Sequence, residues 1–348
     1  MKKVKIGSKF VSENYPCYIS LEASSTFENF DEAIQLTKIA ADSGADAIKF
    51  QNFLPGDAER IMGIHNIKVD FSSPTGEKQE LMFDAIKRRE LTKEEWIKLS
   101  KYSHDLGLDF ILTPYFPEFL SMLSEIKGDA IKVNKGDINN VLFIEQIAKT
   151  NLPILLDGRE KFSDVEIAAK ICEENENEQI VIMHCPSGYP AEHSGVHLKA
   201  INKIQEKFDY PIGFADHSLG GIMNYAALAL GVKVIEKTIT LNKNKEQSEH
   251  YMSLEPNEIK SFIENIKSIE LAMGDPDVLN SSRVNENLRR SFVSKVKIKK
   301  GEKISLENID FQRPENLGIS CSEGFKILGK ISKIEIPKDT FLQWDMLE

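Results

Sequence analysis

Between residues 17 and 274, short apolar runs alternate with stretches in which apolar positions recur every three to four residues. The runs CYISLEA (17–23), DAIKFQ (46–51), LDFILTPY (108–115), DAIKVNKG (129–136), PILLDG (153–158), IVIMHC (180–185), PIGFADH (211–217) and VKVIEKTIT (232–240) predict strands. Between them, FDEAIQLTKIAADSGA, FPEFLSMLSEIK, VLFIEQIAKT, HLKAINKIQEKF and EPNEIKSFIENIKSIELAMG carry the helical period. Eight strand-helix units in about 250 residues match a closed (β/α)8 TIM barrel better than an open doubly wound sheet. The second unit is long. Residues 52–92 contain GDAERIMGIHNIKVDFSSPTGEKQ ahead of the helical pattern, which predicts an insertion on the loop face.

Past Gly274 the alternation stops. DPDVLNSSRVNENLRR is polar and rich in turn formers and reads as a linker, with boundaries at 275–288. Beyond it, KIKKGEKISLENI (297–309) and EIPKDTFLQWDML (335–347) repeat one β-turn-β pattern at an offset of 38 residues. Two hairpin-like copies predict a small β-rich domain over 289–348, after a barrel over 1–274.

Composition narrows the partners. A net charge of -10 argues against nucleic acid or an anionic membrane as the main partner. No apolar run approaches a membrane span, and the lysines of MKKVKIGSKFVSENYPCY precede no signal-type apolar core. Cys17, Cys172, Cys185 and Cys321 show no CxxC spacing, which fits the reducing cytoplasm.

In a TIM barrel the chemistry sits at the C-terminal strand ends. Those ends read Glu22, Lys49 to Gln51, Thr113 to Tyr115, Lys132 to Lys135, Asp157, His184 to Ser187, Asp216-His217 and Glu236 to Thr238, and each carries a polar or ionisable group. Folding needs none of them, and charges near a barrel mouth cost desolvation unless paired or hydrated. Lysines from strands 2, 4 and 8 predict a locally positive pocket for a phosphate or carboxylate, with Glu22 and Glu236 as hydroxyl acceptors or proton carriers. His184 fits either a catalyst or a hydrogen-bonded barrel histidine. Cys185 reads as a small buried hydrophobe. Glu236 and Lys237 point to opposite faces of a regular strand, so one of them enters the barrel.

At these strand ends the chain resembles the N-acetylneuraminate (sialic acid) synthase family and its legionaminic and pseudaminic acid relatives. The resemblance rests on GADAIKFQ, ILTPYF, IKVNKGDINN, MHCPSGYPA, IGFADHSLG, VIEKTITL, SLEPNEI, LRRSFVSKVKIKKGE and RPENLGI, in that order and over nearly the whole length. It implies a (β/α)8 barrel followed by a SAF (antifreeze-like, β-clip) domain, in a domain-swapped homodimer. It implies condensation of phosphoenolpyruvate with an amino-sugar aldehyde and release of phosphate, in surface carbohydrate biosynthesis, with no nucleotide cofactor. On the matching motifs, Lys49, Thr113 and Lys132 contact phosphoenolpyruvate, Glu22 contacts the sugar, Gln51 and Tyr189 line the pocket, and Arg313 reaches across the dimer. Lys135 and Arg159 stand where a phosphate clamp could form, and Ser187 lies in the substrate-binding MHCPSGYPA segment. His217 and Glu236 are the candidates for proton handling.

The departures bear on the metal. The family holds manganese or magnesium with two histidines; His217 matches one, and Thr238 stands at the other. The sequence therefore leaves open whether a metal binds. Neutral donors around the inferred phosphate are also changed, to Ala215, Lys135 and Asp157, and the segment before SLEP is QSEH, with Glu249 and His250. Two other readings stay open: a Schiff-base keto-acid aldolase or lyase using Lys132 or Lys135, and a catalytically lapsed sugar-binding homologue.

Overall fold

A computed structural model describes residues 1–158, 161–274 and 288–348. Arg159, named above as part of a phosphate clamp, and most of the linker lie outside the described residues. Contacts divide the chain into two compact units, Met1–Gly274 and Asp275–Glu348.

Eight parallel strands form the first unit: β1 (Tyr18–Glu22), β2 (Ala47–Asn52), β3 (Asp109–Pro114), β4 (Ala130–Val133), β5 (Ile154–Asp157), β6 (Ile180–His184), β7 (Ile212–Asp216) and β8 (Val234–Thr238). They close in sequential order, with β8 pairing β1. Each falls on one of the eight predicted apolar runs, β2 extending one residue past its run to Asn52. Helices return the chain on the outside, and their ends follow local signals. Asn29 caps Phe30–Ser43 by accepting from the Glu32 amide, while Thr92 and Glu95 form a capping box on Lys93–Asp105. Glu255 and Glu258 do the same for Pro256–Met273.

Strand alternation then sorts side chains. Ile19, Leu21, Ile48, Phe50, Ile131 and Ile235 pack outward against the helices. Tyr18, Ala47, Ala130, Leu155 and Val234 pack inside the barrel with Val181, Met183 and Ala215. Because the side-chain period is two, Glu22, Lys49, Lys132, Asp157 and Glu236 occupy the inward positions one layer above that apolar plug. Gly213 leaves the space in that plug that the Met183 thioether fills.

The N-terminal end of the barrel is closed by a hairpin, Val4–Ile6 against Lys9–Val11, whose Val4, Ile6 and Val11 are fully buried with the inner barrel residues. The sequence reading assigned no element to this segment, because three-residue strands carry too few positions to show a period. The expected insertion contains a short helix (Asp57–Ile61), an antiparallel hairpin (Lys68–Ser73 with Gly76–Leu81) and a second helix (Met82–Lys87). Among the described residues no helix is long and apolar enough to cross a membrane.

In the second unit the two repeat copies do not fold as separate hairpins. They meet at one bridge and pair otherwise with flanking segments. Ile298 and Ile336, equivalent residues of the two copies, exchange both backbone hydrogen bonds at 2.9 Å. The Ile304 amide reaches the Lys330 carbonyl at 2.8 Å, and its counterpart Leu342 reaches Phe292 at 3.0 Å. Gly301 and Asp339, again equivalent, both take left-handed backbone at φ 82° and 62°. The copies thus meet directly at Ile298 and Ile336 and otherwise pair with segments that flank them, and a buried cluster including Phe292, Ile298, Ile304, Ile336 and Leu342 forms there.

Candidate active site

A cavity of about 360 Å³ opens among the C-terminal strand ends of the first unit. Of the predicted site residues, Glu22, Lys49, Gln51, Lys132, Lys135, Tyr189 and His217 line it. Glu236 sits just beneath, bonded to two of the lining lysines. Lys132 Nζ lies 2.5 Å from Glu236 Oε1, Lys49 Nζ lies 3.3 Å from the same oxygen and 2.5 Å from Glu22 Oε1, and Asp157 Oδ2 is 4.0 Å from Lys132. All five side chains are nearly inaccessible to solvent.

The electrostatics follow from that lattice. Burial lowers the Lys132 pKa, but Glu236 and the other carboxylates around it outweigh burial and hold the ammonium above the usual lysine range. Burial likewise works against charge on Glu22, yet Lys49, Lys132 and His217 hold its carboxyl well below the usual carboxylate range. Both groups are charged at neutral pH. Glu249, in a left-handed backbone conformation at φ 72°, behaves oppositely: burial, with the Glu22 charge added, pushes it up to about 7. Among the described residues its Oε2 has no hydrogen-bond partner. Two carboxyls in one cavity are therefore pushed in opposite directions, Glu22 down and Glu249 up.

Several expectations change here. The expected positive pocket is balanced instead: Lys49, Lys132, Lys135 and Arg89 meet Glu22, Asp157, Glu249 and Glu236, and Lys49 and Lys132 are paired with carboxylates from other strands. Lys237, counted among the pocket lysines, points out of the barrel, where it bonds Asp216 Oδ2 at 2.9 Å and the Ser218 carbonyl, with no exposed side chain. It faces outward because Glu236 faces in. Thr113 is buried but does not line the cavity; its amide bonds Asn52 Oδ1 at 2.7 Å. Ser187 is exposed and lies outside the cavity lining. His184 bonds the Val196 carbonyl at 2.7 Å, and burial lowers its pKa, so it takes the hydrogen-bonded barrel role. Cys185 is buried, its thiol on the Met183 carbonyl. Arg313 belongs to the second unit.

The donor set does not fit a resident divalent ion. Among the described residues no group of three or more His, Cys, Asp or Glu side chains could hold one. His217 stacks on Tyr189 at 5.1 Å between centroids, and Thr238 presents a buried hydroxyl, itself unpartnered, where an imidazole would be needed.

Sequence reasoning misses Arg89, because nothing in KRRE sets it apart from the adjacent Arg88. From the end of the insertion it lines the cavity, buried. Its Nη1 donates to the Ser24 carbonyl (2.9 Å), Ser25 Oγ (2.9 Å) and Gln51 Oε1 (2.8 Å), and its Nε donates to the Ala85 carbonyl. The guanidinium lies over Phe53 at 5.1 Å.

Comparison with known proteins places this geometry. The NeuB family profile matches residues 36–277 and the SAF domain profile matches residues 289–348. An uncharacterised protein of Methanocaldococcus jannaschii is 35% identical over 100% of this chain and 99% of its own. The N,N'-diacetyllegionaminic acid synthase of Campylobacter jejuni is 34% identical over 89% of this chain and 94% of its own. The crystal structure of the N-acetylneuraminic acid (sialic acid) synthetase of Leptospira borgpetersenii, in complex with citrate, superposes with a TM-score of 0.70 at 26% identity, over 79% of this chain and 91% of that one.

Proposed function

This chain belongs to the NeuB family, and on that premise we propose that it is a nonulosonic acid synthase, joining phosphoenolpyruvate to an acylated amino-sugar aldehyde with release of phosphate. The observation that carries the reading is the convergence of Lys49, Lys132, Lys135, Glu22 and His217 on one cavity at the strand ends. C3 of the enol attacks the aldehyde carbon, and the aldehyde oxygen takes a proton. Water adds at C2, and the C2–O bond of the resulting tetrahedral centre breaks to release phosphate.

Each residue then has a task. Lys132 and Lys49 bind the carboxylate and phosphate as fixed ammonium groups, already oriented by Glu236 and Glu22, so little reorganisation is needed when the anion arrives. Lys135 extends the anion site at the cavity wall. Glu22, ionised throughout, accepts sugar hydroxyls. Glu249 holds a proton near neutral pH and donates it to the nascent alkoxide, the charge a metal ion would otherwise stabilise. We propose that the reaction needs no resident metal.

A Schiff-base aldolase is the weaker reading, because imine formation needs a neutral amine and Glu236 keeps Lys132 protonated. We also propose a cytoplasmic homodimer in which Arg313 serves the partner's barrel. The direct test is to incubate the protein with phosphoenolpyruvate and a panel of N-acylated hexosamines and follow phosphate release. Acceptor-dependent release supports the synthase. No release with any acceptor, or borohydride trapping of a pyruvate adduct, overturns it.

A further inference from the structure

The insertion after β2 supplies a third of the cavity wall, and the strand-end chemistry uses none of it. Phe53, Ile61, Val69, Met82, Ala85 and Ile86 form an apolar surface there, with Arg89 as its cation. The insertion is fastened over the cavity rather than loosely attached. The Ser72 amide bonds the Tyr189 carbonyl at 2.8 Å, and Glu80 accepts from the Ser248 amide at 2.8 Å while also pairing with Arg88. Thr75 Oγ1 reaches Glu246 at 2.5 Å. Both loops that deliver Tyr189 and Glu249 are therefore tied to it.

Arg89 combines three properties. No carboxylate lies within ion-pairing distance of it among the described residues, its Nη1 and Nε are immobilised by neutral oxygens, and it still lines the cavity. A held guanidinium is a strong donor to an oxygen of a ligand. An anionic ligand group is disfavoured at this wall, since the Glu22 carboxylate shares the cavity and the surrounding apolar side chains would leave it poorly solvated. A bare hydroxyl would leave the apolar surface uncovered. An amide bearing a short alkyl group satisfies both halves: its oxygen meets the guanidinium, its alkyl group covers the wall, and Ser25 offers an acceptor to its N–H.

Resting on the synthase reading above, we propose that the insertion is the acceptor-selecting wall of this site and that Arg89 is its reading residue. Arg89 receives the carbonyl of an acylamino substituent, and Ile61, Met82 and Ile86 receive its alkyl group. The test is calorimetric titration of the full chain with three probes of one ring configuration: an N-acetylhexosamine, the free hexosamine and the hexose. The wild type binds the N-acetyl probe at least about tenfold more tightly than the other two. Arg89→Lys weakens that probe roughly 10- to 100-fold, as expected for one charge-assisted hydrogen bond, and leaves the hexose little changed. Met82→Ser, at a half-open position where folding is not at stake, weakens it by about threefold, the scale of one buried methylene. Equal binding of the three probes by the wild type, no binding of any, or an acetyl preference that survives in Arg89→Lys overturns the proposal. Phosphate release is scored separately. If Arg89→Lys abolishes the acetyl preference while no phosphate is released, the wall stands and the synthase reading falls.

Discussion

Lys132 and Glu236 stand on β4 and β8, half a barrel apart in strand order, and meet at 2.5 Å across the barrel interior. That ion pair, shared with Lys49 through one carboxylate oxygen, makes the pocket a preformed charge lattice rather than an open cluster of cations. A substrate anion would exchange one negative partner for another instead of entering an empty positive field.

Removing the shared charge should therefore cost stability as well as activity. Glu236→Gln leaves Lys132 with Asp157 at 4.0 Å as its remaining carboxylate. Breaking a buried pair on one side typically costs about 3–5 kcal/mol, and retention of a hydrogen-bonding amide puts this case at the lower end. Urea denaturation at pH 7 should show the loss, together with a fall in kcat. An unchanged midpoint would mean that the pair is solvated in solution.

Glu249 predicts a basic limb. Burial first, and Glu22 second, raise its pKa to about 7, so its acid form is lost as pH climbs through that value. The kcat/KM profile should fall above about pH 7, and Glu249→Gln should flatten that limb while lowering the plateau. The same shift has a stability sign. The folded state holds this proton more tightly than the unfolded chain, where a glutamate titrates at its ordinary 4.5, so the contribution is full below 4.5 and is lost as pH rises through about 7. A limb that persists in the glutamine variant assigns it to another group.

The donor set around His217 predicts indifference to chelators. Phosphate release should survive treatment with a strong chelator within about twofold, because the proposed scheme routes no step through a Lewis acid, whose loss would cost several kcal/mol. Thr238→His would restore a second imidazole on the inward face of β8, and that variant should bind manganese measurably. Abolition of wild-type turnover by chelator, with rescue by manganese, would refute the metal-free scheme.

If Arg313 serves the partner's barrel, two dead chains should rescue one another. Arg313→Ala and Lys132→Met, each inactive alone, should regain roughly a quarter of full activity when mixed and re-equilibrated, since in a statistical mixture of dimers half are mixed and each mixed dimer carries one intact site. Absence of rescue, with heterodimers detected by native mass spectrometry, would place Arg313 in its own chain's site or outside any site.

The sequence by itself determined the barrel, because eight apolar runs and the helical periods between them are local signals that closed pairing only confirms. It also determined which strand ends carry chemistry: Glu22, Lys49, Lys132 and His217 follow from strand position alone, and the N-acetylneuraminate synthase resemblance is visible in motif order. Tertiary structure decided the rest. That Lys237 turns outward and Glu236 inward is a matter of phase, which a one-residue slip would reverse. That one carboxylate serves both Lys132 and Lys49 depends on Glu236, 104 and 187 residues away from them in the chain. Arg89 joins the site only because a 40-residue insertion folds back over the cavity, and no periodic pattern encodes that return. The two C-terminal copies look like hairpins because a turn is locally legible, whereas their bridge at Ile298 and Ile336 and their pairing with flanking segments are made by long-range contacts that burial of these residues rewards.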